Sequence, residues 1–306
     1  MPQRFVLLGD IHVYRRMAWP WQVMNKRLLG LMNLWLRRQF RFKQQLLPSL
    51  FEHAASQEPD HWLFTGDLTT TALDAEFDDA MALINRYVGD SPAFIVPGNH
   101  DRYTFQADRS RAFERHVGDR TASVWPCYRE LSPGFHLIGL DPTHANFLFA
   151  HGVVGERQRA AMASLVRDRT GPDDQLVVVC HYPLGTPPSR PEEELSHGLQ
   201  DIPEVVELLA DLGRPTIYLH GHVHYPWCWR LPAAENVVAI NVGAPVMRKN
   251  KFPYGEGYWL MERDEHVDAA GSLSNIRVKH IYFDGAAWIT REVSVPRAAG
   301  EESLIK

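Results

Sequence analysis

Five short segments decide how this chain folds: GDIH at 9–12, GD at 66–67, GNHD at 98–101, CH at 180–181 and GHVH at 221–224. Each of them follows a short apolar run that is typical of a buried strand. Their polar side chains are carboxylates, one asparagine amide and imidazoles. This mixture suits two divalent ions held side by side, because a shared carboxylate can bridge them while imidazoles and neutral oxygens complete each shell.

Short apolar runs rich in β-branched residues recur along the chain and predict strands that are covered on both faces. They are Phe5–Leu8, Trp62–Thr65, Ala93–Val96, Phe135–Leu140, Leu176–Val179, Thr216–Leu219 and Val237–Val242. Helical periodicity between them predicts helices at Ala75–Val88, Gly155–Arg167 and Ile202–Leu212. Strands that alternate with helices indicate an α/β fold. In open α/β sheets ligands bind beyond the carboxyl ends of the strands, and the five polar segments lie at such ends.

Length and composition are those of a globular protein with one large domain or two small ones. The chain has 306 residues, is 45% hydrophobic and 23% charged, and carries a formal net charge of −5. This acidic balance gives no reason to expect a nucleic-acid partner. Three cysteines form no disulfide framework, and the apolar runs are too short for a signal peptide or a membrane span. The sequence therefore predicts a soluble cytoplasmic protein.

A long segment, residues 13–48, separates the first two motifs by more than a plain βα loop needs. It contains eight basic residues, no acidic residue and several aromatic rings, among them Trp19, Trp21, Trp35, Phe40 and Phe42. Val23–Phe42 has the apolar stripe of an amphipathic helix. Three interpretations stay open: a packed cap with solvated charges, a contact with an anionic membrane surface, or a wall of a pocket for an amphiphilic phosphate substrate.

The chain after Arg248 has a different pattern. Three runs predict further strands, with Asp284-Gly285 as a hairpin turn between the last two: Gly257–Arg263, Ile276–Phe283 and Trp288–Val295. We therefore expect one domain over 1–250, with 13–48 as its basic aromatic insertion, followed by a C-terminal β extension over 251–306. This extension would complete a sheet and end in a frayed tail at 296–306.

In their order and residue types, the five segments resemble the calcineurin-like metallophosphoesterase superfamily, and the resemblance covers residues 3–246. CHYP at 180–183 and Gly155-x-x-Gln158 look like its bacterial class III phosphodiesterase-like branch. That branch more often has a second histidine where this chain has Tyr182. The resemblance implies a four-layer αββα sandwich, in which two mixed sheets are flanked by helices.

The resemblance also implies a role for each polar residue. The first ion would be bound by Asp10, His12 and His224, the second by Asn99, His181 and His222, and Asp67 would bridge the two. His100 would act on the phosphate or the leaving group, and Asp101 would accept a hydrogen bond from its ring. Spacing supports this independently, because two residues that are two apart at a strand end can turn toward one point. Gly221 would permit the tight turn before His222.

The activity implied is hydrolysis of a phosphodiester or pyrophosphate bond by a hydroxide that bridges two divalent ions. Manganese is the expected metal, with iron and zinc as alternatives. The substrate would be a small-molecule or lipid-linked phosphate ester. Two alternatives stay open: a lipid hydrolase like the UDP-2,3-diacylglucosamine pyrophosphatases, and a non-catalytic scaffold that kept the fold. The sequence leaves the oligomeric state undetermined and allows a peripheral contact with the inner membrane face through residues 13–48.

Overall fold

The computed structural model describes residues 2–15, 41–146, 150–190, 198–265 and 272–303. Within these ranges the chain forms two mixed β-sheets that pack face to face, with helices on their outer faces. Strands and helices are numbered below in chain order.

The first sheet has the strand order β12-β11-β10-β1-β2-β3. Its strands are β1 (Gln3–Leu8), β2 (His61–Phe64), β3 (Ala93–Ile95), β10 (Tyr258–Arg263), β11 (Ile276–Phe283) and β12 (Trp288–Val293). Strands β1, β2 and β3 are parallel, whereas β10 pairs antiparallel with β1 and β11 and β12 continue antiparallel. The three parallel strands therefore end at one edge.

The second sheet has the order β13-β8-β9-β7-β6-β5-β4. Its strands are β4 (Cys127–Ser132), β5 (Phe135–Gly139), β6 (Gln175–Val179), β7 (Thr216–His220), β8 (Trp227–Arg230), β9 (Val237–Asn241) and β13 (Glu302–Ser303). The four central strands β5, β6, β7 and β9 are parallel, and antiparallel strands flank them on both sides.

Six α-helices and two 3₁₀ turns are described. The helices are α1 (Leu47–Ala55), α2 (Asp74–Val88), α3 (Phe105–Arg109), α4 (Ala112–Val117), α5 (Gly155–Arg169) and α6 (Ile202–Leu212), and the 3₁₀ turns are Gln44–Leu46 and Gly118–Arg120. Among the residues so described, no helix is both long enough and apolar enough to cross a bilayer.

Side chains that alternate along each strand produce three apolar layers. On β1, Val6 and Leu8 pack with helices α1 and α2, whereas Phe5 and Leu7 pack between the two sheets. In the second sheet, Val178 faces helices α5 and α6. This arrangement confirms the predicted four-layer αββα fold. It also explains why the central strands are continuously apolar, since both of their faces are buried.

Apart from helix Val23–Phe42, most of which lies outside the described residues, the predicted strands and helices are all present, with ends that differ by up to two residues. The sequence prediction missed α1, α3, α4 and the strands β4, β8 and β13, all of which except α1 have six residues or fewer. The prediction of a frayed tail over 296–306 is wrong for part of it, because Glu302–Ser303 pairs with β8. The division of the chain at residue 250 stays a prediction, although β10 to β12 continue the sheet that β1 begins.

Phe94 on β3 tests the packing between the sheets. Its side chain is 2% exposed and belongs to the layer between them. Replacing it with alanine should lower the free energy of unfolding by about 3–5 kcal/mol, through lost apolar contacts and the cavity left behind. Phe105 is 48% exposed, so Phe105→Ala is the matched control and should change stability by about 0.5 kcal/mol or less. Urea denaturation followed by circular dichroism would contradict this packing if both variants unfolded at the same midpoint.

Candidate metal centre

The five polar segments leave the strands at one end of the two-sheet sandwich. Beyond β1 and β2 the parallel pairing continues into the loops, where Asp10 N donates to Gly66 O at 2.8 Å and His12 N donates to Asp67 O at 3.0 Å. Beyond β6 and β7, Gly221 N donates to His181 O at 3.0 Å. Within each sheet, these bonds hold the loops that carry the polar side chains next to each other.

The first group of side chains combines Asp10, His12 and Asp67 of the first sheet with His224 of the second. Nε2 of His224 lies 2.9 Å from Nε2 of His12 and 3.1 Å from Oδ1 of Asp10. One ligand atom from each of the four residues lies within 4.8 Å of all the others. Two ligands about 2.1 Å from one ion at right angles would be about 3 Å apart, so these spacings fit a single ion.

The second group combines Asn99 of the first sheet with His181 and His222 of the second. Oδ1 of Asn99 lies 3.0 Å from Nε2 of His181 and 2.9 Å from Nδ1 of His222. Oδ2 of Asp67 lies 3.5 Å from Nε2 of His181 and also 3.5 Å from Nε2 of His12. One carboxylate oxygen is therefore shared between the two groups.

The imidazoles of His12 and His181 are oriented by backbone carbonyls. Nδ1 of His181 lies 2.8 Å from Thr65 O, and Nδ1 of His12 lies 3.3 Å from Thr69 O. A ring N–H at Nδ1 donates to the carbonyl and leaves the lone pair on Nε2, which is the tautomer that a metal ligand needs. Burial lowers the pKa of His181 below its usual value and so favours this neutral form.

Backbone strain is concentrated at these side chains. Positive φ angles occur at five of the seven predicted ligands, namely Asp10 (49°), His12 (45°), Asp67 (53°), His222 (72°) and His224 (46°). Residues with a Cβ rarely adopt this left-handed conformation, which costs of order 1–3 kcal/mol each and persists at functional sites when the surroundings enforce it. Here it turns each side chain sharply from its strand toward the centre.

Gly221 has a role beyond the predicted one. It begins a tight turn, in which its carbonyl accepts the Val223 N–H at 2.9 Å, while the left-handed angles belong to His222 and His224. A Cβ at Gly221 would lie 2.0 Å from Oδ2 of Asp10. Glycine is needed at this position because the Asp10 carboxylate packs directly against the Gly221 backbone. There the carboxylate accepts the His222 N–H at 3.2 Å.

The predicted contact between His100 and Asp101 is wrong. Nδ1 of His100 lies 2.7 Å from Thr70 O, so a carbonyl sets the tautomer of this ring. The Asp101 carboxylate is buried and accepts the backbone N–H groups of Gly98, Thr69 and Leu68 at 2.9–3.2 Å. Burial raises the pKa of Asp101 to about 6, although these hydrogen bonds act in the opposite direction. The hydrogen bonds of Asp101 therefore connect the loop after β2 to the loop after β3.

Two further groups lie beside the centre, and sequence analysis named only the first of them, Phe42. The Phe42 ring lies 5.0 Å from the His12 ring and 5.9 Å from the His224 ring. Lys249 Nζ donates to His224 O and lies 2.9 Å from Oε1 of the buried Glu256. Lys249 and Glu256 belong to no polar motif at a strand end, so no sequence pattern pointed to them.

The insertion is described only at its two ends. Residues 16–40, which include most of the predicted helix Val23–Phe42, lie outside the described part of the chain. Phe42, the last residue of that predicted helix, instead forms an antiparallel bridge with Met247. The three interpretations of residues 13–48 therefore stay predictions.

Comparison with known proteins agrees with this geometry. The family model described as calcineurin-like phosphoesterase matches residues 3–226. A protein of Pseudoalteromonas sp. (strain SM9913) named "probable cyclic nucleotide phosphodiesterase" is 29% identical over 177 residues, which are 56% of this chain and 58% of that protein. The match thus spans less than two thirds of that relative's length.

Solved structures show the same fold at low identity. Purple acid phosphatase PPD1 from yellow lupin (Lupinus luteus) is 14% identical, with a TM-score of 0.61 that covers 95% of this chain and 53% of that one. A dimetal phosphatase from Danio rerio is 11% identical, with a TM-score of 0.54 and 97% coverage of both chains.

The role of Asp101 in connecting the loops after β2 and β3 can be tested by Asp101→Asn. The amide would place an N–H group against one of the backbone donors and remove the negative charge. We expect the affinity for Mn²⁺ to fall about 10-fold, as for other residues that orient metal ligands. Asp173 is exposed, so Asp173→Asn is the matched control. Calorimetric titration with Mn²⁺ would refute the assigned role if both variants bound the ion as the wild type does.

Proposed function

Because the chain belongs to the calcineurin-like phosphoesterase family, we propose that it hydrolyses a phosphodiester or pyrophosphate bond at a centre of two divalent metal ions. The observation that carries this proposal is the position of Oδ2 of Asp67, 3.5 Å from Nε2 of both His12 and His181. A carboxylate between two sets of imidazoles is the arrangement by which two-metal sites hold their ions together.

The donor set supports manganese, with iron or zinc as alternatives. It consists of imidazole nitrogens, carboxylate oxygens and one amide oxygen, which divalent metals of this class accept. Cys180 precedes His181, but burial raises the pKa of its thiol to about 12, so it stays protonated and is a poor ligand. The predicted ligands are therefore Asp10, His12, Asp67 and His224 for one ion, and Asn99, His181, His222 and the shared Asp67 for the other.

When bound, the two ions would lower the pKa of a water between them and neutralise charge on the phosphoryl oxygens. His100 would contribute by proton transfer. Its ring centroid lies 4.9 Å from that of His12, so it stands at the border of the first ligand group. Thr70 O holds its Nδ1–H, and the ring stacks on Tyr103 at 5.4 Å. In its protonated, imidazolium form the ring would also carry a proton on Nε2, which it would donate to the leaving oxygen.

The exposed side of the centre supports access by a substrate. Asp10, His12, Asp67 and His181 are buried, whereas Asn99, His100, His222 and His224 are half-buried. A small-molecule or lipid-linked phosphate ester could enter from this side. The name of the Pseudoalteromonas relative supports a phosphodiester, and the basic residues of 13–48 support an anionic lipid or membrane contact. We propose no nucleic-acid partner.

Metal content tests the two-ion centre. Wild-type protein equilibrated with Mn²⁺ should hold two ions per chain by elemental analysis. His181→Ala should retain one, because it removes a ligand of the second group and leaves the four residues of the first group intact. His116 pairs with Asp74 and Asp78 on α2, so His116→Ala serves as the control and should hold two. A single ion in the wild type would contradict the proposed centre.

Activity tests the role of His100. We expect the Mn²⁺-loaded wild type to hydrolyse bis(p-nitrophenyl) phosphate, and we expect the hydrolysis to stop when EDTA is added. His100→Ala should lower kcat by about 10²–10⁴-fold, the usual contribution of a general acid, while its metal content stays that of the wild type. If the wild type bound two ions but hydrolysed neither this diester nor a lipid pyrophosphate, the non-catalytic scaffold would be favoured instead.

A further inference from the structure

A tyrosine with two cations against its ring lies next to the metal centre. Tyr225 directly follows His224 in the chain. The guanidinium carbon of Arg190 lies 3.1 Å from the centroid of the Tyr225 ring, and Nζ of Lys249 lies 4.3 Å from the same centroid. The three residues follow β6, β7 and β9, which are parallel neighbours in the second sheet. The cations therefore lie at the same end of the sandwich as the ligands.

Lys249 already has partners for its charge. Its ammonium group pairs with Oε1 of Glu256 at 2.9 Å and donates to the carbonyl of His224. Glu256 is fully buried and also accepts the Ala244 N–H at 2.6 Å. This lysine supports the loop that carries His224 and is already paired with a carboxyl group.

Arg190 has no such partner within the described ranges. No carboxylate there lies within ion-pair distance of its guanidinium group, and its buried Nε–H donates to no acceptor. Buried donors that lack an acceptor are rare and call for an explanation. When an aromatic ring covers the face of a guanidinium group, the N–H groups at the edge of the guanidinium remain available. There they can donate to the oxygens of a phosphate.

We propose that Arg190 binds a second phosphate of the substrate, joined to the one that is hydrolysed at the metal centre. This inference rests on the proposed function and narrows it to diphosphate esters. Water adds across the P–O–P bond, one P–O bond breaks, and two phosphate monoesters are released, with two protons when both products are dianions. A cyclic nucleotide has a single phosphate and gains nothing from Arg190, so the residue selects between the two substrate classes.

Binding of small phosphonates tests Arg190 without any turnover. Methylenediphosphonate resembles the diphosphate but cannot be hydrolysed, and methylphosphonate has only one anionic group. In the Mn²⁺-loaded protein, Arg190→Gln should lower the affinity for methylenediphosphonate about 10-fold and leave the affinity for methylphosphonate unchanged. Arg157 is exposed on α5, and Arg157→Gln should bind both ligands as the wild type does. The proposal is overturned if Arg190→Gln weakens both ligands equally or neither of them, with circular dichroism confirming that the variant is folded.

Steady-state kinetics supply the second readout. For ADP-ribose, Arg190→Gln should raise KM about 10-fold with little change in kcat, whereas thymidine 5′-(p-nitrophenyl phosphate), which has one phosphate, should be hydrolysed as by the wild type. Equal effects on both substrates would overturn the role of Arg190. If the wild type hydrolysed no phosphate ester at all, the proposed function would fail, and the phosphonate titration would still decide whether Arg190 recognises a second anionic group.

Discussion

The two oxygens of the Asp67 carboxylate have separate tasks, and the geometry of the centre depends on both. Oδ1 accepts the backbone N–H of His100 at 2.8 Å, which holds the loop after β3 against the loop after β2. Oδ2 lies between Nε2 of His12 and Nε2 of His181. A substitution that kept the charge but moved these oxygens would disturb a backbone contact and two ligand groups together.

Close backbone approach is the second constraint on this region. The Asp10 carboxylate lies against Gly221, and the Asp67 carboxylate lies against Gly98, where an added Cβ would be 2.1 Å from Oδ1. Five predicted ligands also have left-handed backbone angles, and such angles are tolerated only where the surroundings enforce them. The hydrogen bonds of Asp101 with the loops after β2 and β3 supply part of that enforcement.

The fold and the residues that converge could be predicted from sequence because both follow from short-range patterns. Runs such as Phe5–Leu8 and Leu176–Val179 are apolar on both faces, and this property alone indicates a covered strand. The contacts within the centre could not be predicted in this way. Whether the His100 ring meets Asp101 or the carbonyl of Thr70 depends on loop conformation, and a motif contains no information on it. Likewise Arg190, Tyr225 and Lys249 lie in three loops and share no spacing, so only their positions in space bring them together.

Both ligand groups draw side chains from both sheets. His224 comes from the second sheet and completes the group of Asp10 and His12, while Asn99 comes from the first sheet and joins His181 and His222. Bound ions would therefore link the two sheets. Because they would bind the native state and not the unfolded chain, they would add to folding stability by mass action. If the proposed two-ion centre exists, metal depletion in a cell would remove the activity of the protein and also shorten its lifetime. The metal-free protein would unfold more readily and so be degraded faster by proteases.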